Sequence, residues 1–132
     1  MHICYGYGIK ANTDWKQTLG NQWRQYEQIF PAIDKSSIQQ VAIECRNSKV
    51  PLELLALLPG KVVQAGVIDV ASDLIESAED VVKVIDDVSK FVPKRNIVAT
   101  TNCGMAPMRR DIAEAKLVAL GAGAKLARQR LG

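Results

Sequence analysis

Strand-like and helix-like segments alternate along this 132-residue chain, and the alternation limits its fold more than any other feature. An opening strand carries His2 and Cys4, and further strands are predicted at 40–44, 61–69 and 96–101. Helical patterns follow them at 14–30, 51–58, 77–91 and 111–131. Strand and helix repeated four times predict a parallel α/β sheet with right-handed crossovers.

Proline, glycine and capping residues refine these limits. Pro31 is placed at the end of the first amphipathic segment, and Pro51 in the first turn of the leucine-rich helix. Ser77 followed by Asp80 resembles a capping box at the start of the third helix. Gly66 lies within the third strand and predicts that another part of the chain approaches closely there.

Four strand–helix units are half of an eight-unit α/β barrel. The pattern fits either an open four-stranded sheet or the C-terminal half of a TIM-type (βα)8 barrel. We favour the half-barrel, with residues 1–132 as a single domain, because the chain opens directly on a strand with candidate metal ligands. Its first and last strands would have unpaired edges, and Val63 and Val98 would face the missing wall. We therefore expect a partner, either the N-terminal half or a second copy of the chain.

Four side chains form a candidate metal site. His2 and Cys4 are two residues apart, so they point to the same face of a strand. Glu44 ends the second strand and Cys103 follows the fourth, and the carboxyl ends of parallel strands meet at one end of a sheet. Two thiolates, an imidazole and a carboxylate suit zinc. The alternative is a buried thiol beside a packed imidazole. Cys45 is expected to face away from the site and to be buried.

Composition excludes two classes of partner. The net charge is +3, and the basic pairs Lys94-Arg95 and Arg109-Arg110 have no aromatic stacking surface beside them, so we do not expect nucleic-acid binding. No apolar run approaches the ~20 residues of a membrane-spanning helix, and the N-terminus does not resemble a signal peptide. The three cysteines have no C-x-x-C spacing and suit a reducing compartment, which predicts a cytoplasmic protein.

Several short motifs occur in a recognisable order, namely His2-Ile3-Cys4-Tyr5-Gly6, Ile43-Glu44, the run from Gly66 to Ser72, Glu76-Ser77 and Asn102-Cys103-Gly104. In order and approximate spacing they resemble the C-terminal catalytic barrel of cobalamin-independent methionine synthase and its shorter single-barrel relatives. The resemblance implies a catalytic zinc bound by His2, Cys4, Glu44 and Cys103. It also implies methyl transfer from a methyltetrahydrofolate to the thiol of homocysteine, which gives methionine.

The resemblance has two departures. The family's remaining contacts to both substrates lie upstream of these motifs, so we expect the chain to be inactive alone. Larger members carry a histidine that protonates the departing folate, whereas this chain has Ala71 there, so the proton source and the methyl donor stay open.

Two other functions and four side-chain roles also stay open. The alternative functions are alkyl transfer to another thiol, such as coenzyme M, and a non-enzymatic zinc-binding half-barrel that assembles with a partner. Asp69 and Ser72 are expected to fix the local backbone in preference to acting in catalysis. Tyr5 and Tyr7 are equally open to lining the substrate entrance or to packing.

Overall fold

A computed structural model describes residues 1–132, and its strands form one parallel sheet in the order β1-β2-β3-β4. The strands are β1 (His2–Ile3), β2 (Gln40–Glu44), β3 (Val62–Ile68) and β4 (Ile97–Thr101). Val41 pairs with Val63, and Val63 pairs with Ile97, so the three longer strands run side by side, with a register shift between β3 and β4 at 66–68. The predicted parallel α/β sheet is confirmed, with each strand within one residue of the limits given for it.

Four α-helices and two 3₁₀ helices connect and cover the strands. The α-helices are α1 (Lys10–Gln17), α2 (Tyr26–Lys35), α3 (Ala78–Ser89) and α4 (Arg110–Leu131), and the 3₁₀ helices are Leu52–Leu57 and Lys94–Asn96. The capping box of α3 is confirmed, because the Ser77 hydroxyl accepts from the Asp80 N–H and the Asp80 carboxylate accepts from the Ser77 N–H. None of the helices combines the length and apolarity that crossing a bilayer requires.

The first helical segment differs from its prediction. The single helix expected at 14–30 is two helices, α1 and α2, with a break between them. Gly20 has a φ of +73° in this break, and the Trp23 N–H donates to the Lys49 carbonyl oxygen at 2.9 Å. This long-range bond draws the backbone out of a helical path. Pro31 lies inside α2 and not at its end. Proline has no backbone N–H to donate, and the helix continues past this one missing hydrogen bond.

The two faces of the sheet differ in character. Val41, Ile43 and Val63 are fully buried in the core against the helices. Val63 was expected to face the barrel interior, and that was wrong, because the register places it on the same face as Val41. Val98 is on the other face and is 46% exposed, as predicted. That open face also carries a hydrogen bond of 2.6 Å from Gln64 to Gln40.

Candidate metal centre

Three of the four predicted ligands come together at the carboxyl end of the sheet. The ligand atoms of His2, Cys4 and Cys103 all lie within 4.8 Å of one another. His2 is on β1, Cys4 follows β1, and Cys103 follows β4. Adjacent strands are about 4.8 Å apart, so three spacings separate β1 from β4 by roughly 14 Å. The two cysteines therefore meet because the loops after these outer strands converge.

The donor set fits a metal ion. The Sγ atoms of Cys4 and Cys103 are 3.8 Å apart. Two thiolates on one tetrahedral ion, each at ~2.3 Å, would place their sulfur atoms about 3.8 Å apart. Burial raises the pKa of the Cys4 thiol, with smaller contributions from Cys103 and the Glu44 charge, and a backbone hydrogen bond at Gly6 opposes the shift. A bound cation would favour both thiolates over the thiols.

Glu44 lies outside this three-residue group. Its side chain is buried at 4% exposure, and both carboxylate oxygens accept hydrogen bonds. The Tyr5 N–H donates to Oε1 at 2.9 Å, and the Tyr7 hydroxyl donates to Oε2 at 2.7 Å. Both donors belong to the loop that begins at Cys4, so Glu44 is linked to the ligand-bearing loop without being one of the clustered groups.

Asn102 connects the loops after β2 and β4, and sequence reasoning assigned it no role. Its side chain is 1% exposed and accepts from the Cys45 N–H at 3.2 Å, while its Nδ2 donates to the Arg46 carbonyl oxygen at 2.8 Å. A Cβ on Gly66 would lie only 2.4 Å from the Asn102 Oδ1. Gly66 therefore leaves the space for Asn102, as its predicted close approach required. Asn102 directly precedes Cys103 and fixes the backbone that presents it.

Cys45 faces away from the site, as predicted. It is buried in the core, and its thiol donates to the Ile43 carbonyl oxygen at 3.5 Å. Burial raises the pKa of this thiol to about 12. The group therefore stays protonated at neutral pH and behaves as a small apolar side chain.

The polar residues after β3 make the local contacts that were expected. Asp69 Oδ1 accepts from the Ala71 N–H at 2.8 Å, and the Ser72 hydroxyl accepts from the Leu74 N–H at 3.2 Å. The side chain of Tyr5 packs in the hydrophobic core, and its hydroxyl donates to Gln25 at 2.7 Å. Tyr5 also lines a cavity together with Cys4, so its ring both packs in the core and borders the space beside this candidate ligand.

A buried charged network supports the loop after β3, and the sequence pattern did not predict this network. Lys116 on α4 is fully buried, and its Nζ contacts the Glu76 Oε2 at 2.9 Å. The other oxygen of Glu76 accepts from the Asp69 N–H at 2.9 Å. Arg46, next to the Cys45 backbone, brings its Nε to 3.6 Å from Glu76. Glu76 thus links α4 to the ends of β2 and β3.

Comparison with known proteins identifies the family. The model of a protein family described as "Cobalamin-independent synthase, Catalytic domain" matches residues 21–126. The chain belongs to the cobalamin-independent methionine synthase family. Methionine synthases from Saccharolobus solfataricus and Saccharolobus islandicus are 30% and 31% identical to it over 134 residues. These matches cover 99% of the chain and 35% of each relative, so the chain spans about a third of their length.

A solved member of this methionine synthase family has the same fold. The B12-independent methionine synthase from Shewanella sp. W3-18-1, in complex with selenomethionine, is 54% identical, with a TM-score of 0.92. The match covers 98% of this chain and 38% of that one. The four strands correspond to half of the TIM-type barrel, which confirms the predicted half-barrel. The family is metal-dependent, and His2, Cys4 and Cys103 are a group that could hold a metal.

Proposed function

We propose that this chain supplies the zinc-binding half of an enzyme that transfers a methyl group from a methyltetrahydrofolate to the thiol of homocysteine, giving methionine. The observation that carries the proposal is the pair of sulfur atoms 3.8 Å apart beside His2, at the catalytic end of a half-barrel. The Shewanella relative is in complex with selenomethionine, the selenium analogue of the proposed product. That complex supports a methionine-binding role for this family of sites.

The proposed ligands are His2, Cys4 and Cys103, with Glu44 as the fourth and most exchangeable. A hard carboxylate oxygen is the least suited of the four to a sulfur-rich zinc site. When bound, zinc stabilises the substrate thiol as a thiolate near neutral pH. The two cysteine thiolates would neutralise the charge of Zn²⁺, so a substrate thiolate in the fourth position would leave the site with a net negative charge. This would keep the substrate sulfur nucleophilic enough to take up a methyl group. Asn102 and the Glu44 contacts hold the loops that carry these groups.

The proton for the departing methyl donor has no source at Ala71. This residue follows Asp69 in the loop after β3, and its methyl group cannot donate. His2 is the chain's one histidine and is committed to the metal in this proposal. The proton therefore comes from another residue, from water or from a part of the enzyme outside these residues.

Metal analysis and a methyl-transfer assay test the proposed function. We expect about one zinc ion per chain after zinc supplementation and removal of loose metal. We also expect labelled methionine from homocysteine and methyltetrahydrofolate when the upstream barrel half is supplied, and none from the chain alone, because positioning of both substrates accounts for much of the rate. An assay with coenzyme M in place of homocysteine tests which thiol accepts the methyl group. Failure to retain zinc, or methylation of coenzyme M in preference to homocysteine, would contradict the proposal.

We further propose that the chain associates through the edges of its sheet. β1 and β4 are the outer strands, and each has one unpaired edge. Val98 is exposed beside the β4 edge and would contact the opposite wall of a closed barrel. We expect sedimentation at tens of micromolar to show a dimer, or a complex once the upstream half is added. A chain that stays monomeric and does not bind the upstream half would count against this arrangement.

A further inference from the structure

Tyr7 occupies a place in the site that the proposed function leaves unexplained. It is half-buried in the loop after Cys4, and its hydroxyl donates to the Glu44 Oε2 at 2.7 Å. The Tyr5 N–H donates to the other oxygen at 2.9 Å. Both oxygens of the proposed fourth ligand are therefore held by the loop that carries Cys4.

These hydrogen bonds would compete with a bound metal for the carboxylate. Glu44 is 4% exposed, so little water can replace a partner that it loses. Hydrogen bonds to an ionised carboxylate are among the stronger ones in proteins. With a metal bound, the position of Glu44 would depend on the metal on one side and on the Tyr7 hydroxyl and the Tyr5 N–H on the other.

The ring of Tyr7 is itself held in place. The Lys16 ammonium lies 5.1 Å from the centroid of the ring and donates to the Gly6 carbonyl oxygen at 2.7 Å. Lys16 therefore fixes both the backbone before Tyr7 and the ring itself. The hydroxyl is presented to Glu44 by a supported side chain and not by a free one.

We propose that Tyr7 is a positioning residue that receives the Glu44 carboxylate when a substrate thiolate replaces it at the metal. This inference rests on the proposed function. In the exchange, the substrate S–H loses its proton to solvent and the sulfur takes the fourth position. Glu44 leaves as a carboxylate and keeps its charge, with hydrogen bonds from Tyr7 and Tyr5. Tyr7 thereby makes the fourth position easier to open without contacting the substrate.

The zinc affinity of Tyr7→Phe tests this role, because the role predicts that the variant binds zinc more tightly than the wild-type chain. Removal of the hydroxyl deprives Glu44 of its alternative partner and leaves the carboxylate freer to bind zinc. We expect the zinc dissociation constant to fall roughly tenfold, close to the lower limit of what a hydrogen bond to a charged group contributes. Competition with a chromophoric chelator measures it. A merely structural role predicts weaker zinc binding or no change, and either result would overturn the inference.

Two controls separate this effect from others. In a Glu44→Gln background, Tyr7→Phe should change zinc affinity by no more than about twofold, because the competing charged ligand is gone. Tyr5→Phe removes a neighbouring phenol that donates to Gln25 and keeps the N–H that holds Glu44, so it should not tighten zinc binding. An equal gain in either control would refute the role of Tyr7.

If the wild-type chain binds no zinc, the proposed function fails and this inference fails with it. If the wild-type chain binds zinc and Tyr7→Phe binds it no tighter, the inference alone fails.

Discussion

Replacement of Cys103 with serine is expected to remove tight zinc binding from the chain. The Cys103 Sγ lies 3.8 Å from the Cys4 Sγ, and both belong to the three-residue group with His2. A hydroxyl is a poor substitute for a thiolate on zinc. Loss of groups that merely orient a ligand already costs about 10–100-fold in metal affinity, so loss of a ligand should exceed that range. Metal analysis after gel filtration and chelator competition measures the change.

Cys45→Ser is the matched control for this prediction. Cys45 has the same side chain but is buried on the helix side of the sheet, away from the metal group. We expect this variant to keep about one zinc ion per chain with a dissociation constant close to that of the wild-type protein. Retention of zinc by Cys103→Ser, or equal loss in both variants, would refute Cys103 as a ligand.

Lys116→Met is expected to lower the free energy of unfolding by about 3 kcal/mol, which is the lower end of the range for breaking a buried ion pair. The Lys116 Nζ is fully buried and contacts Glu76 at 2.9 Å, so the substitution leaves a buried carboxylate without its cation. Arg46, at 3.6 Å from Glu76, compensates in part. Denaturant unfolding at saturating zinc measures the change and keeps the metal contribution constant.

Two further variants test the cause of this loss. Lys125→Met changes an exposed lysine on the same helix and should alter stability by less than about 0.5 kcal/mol. Glu76→Gln added to Lys116→Met removes the unpaired charge and should restore part of the lost stability. If Lys116→Met is as stable as the wild-type protein, the ion pair does not support the loop after β3.

The sequence alone predicted the parts of the structure that depend on local patterns. The alternation of apolar runs with helical stretches predicted the parallel sheet, and the strand limits followed within one residue. Ser77 and Asp80 predicted the start of α3, because a capping box involves only residues three apart. The spacing of His2 and Cys4 predicted that the two would act together, because strand geometry sends alternate side chains to one face.

Only the tertiary structure decided the features that join distant parts of the chain. Asn102 bonds to Cys45, 57 residues away, and Lys116 bonds to Glu76, 40 residues away. Such distant partners also determine three other features, namely the break between α1 and α2, the burial of Val63 and the hydrogen bond from Tyr7 to Glu44. Hydrophobic periodicity shows which residues share a face, but not what that face contacts. Those contacts arise when the strands pair and their loops converge, and they determine how the candidate ligands are held.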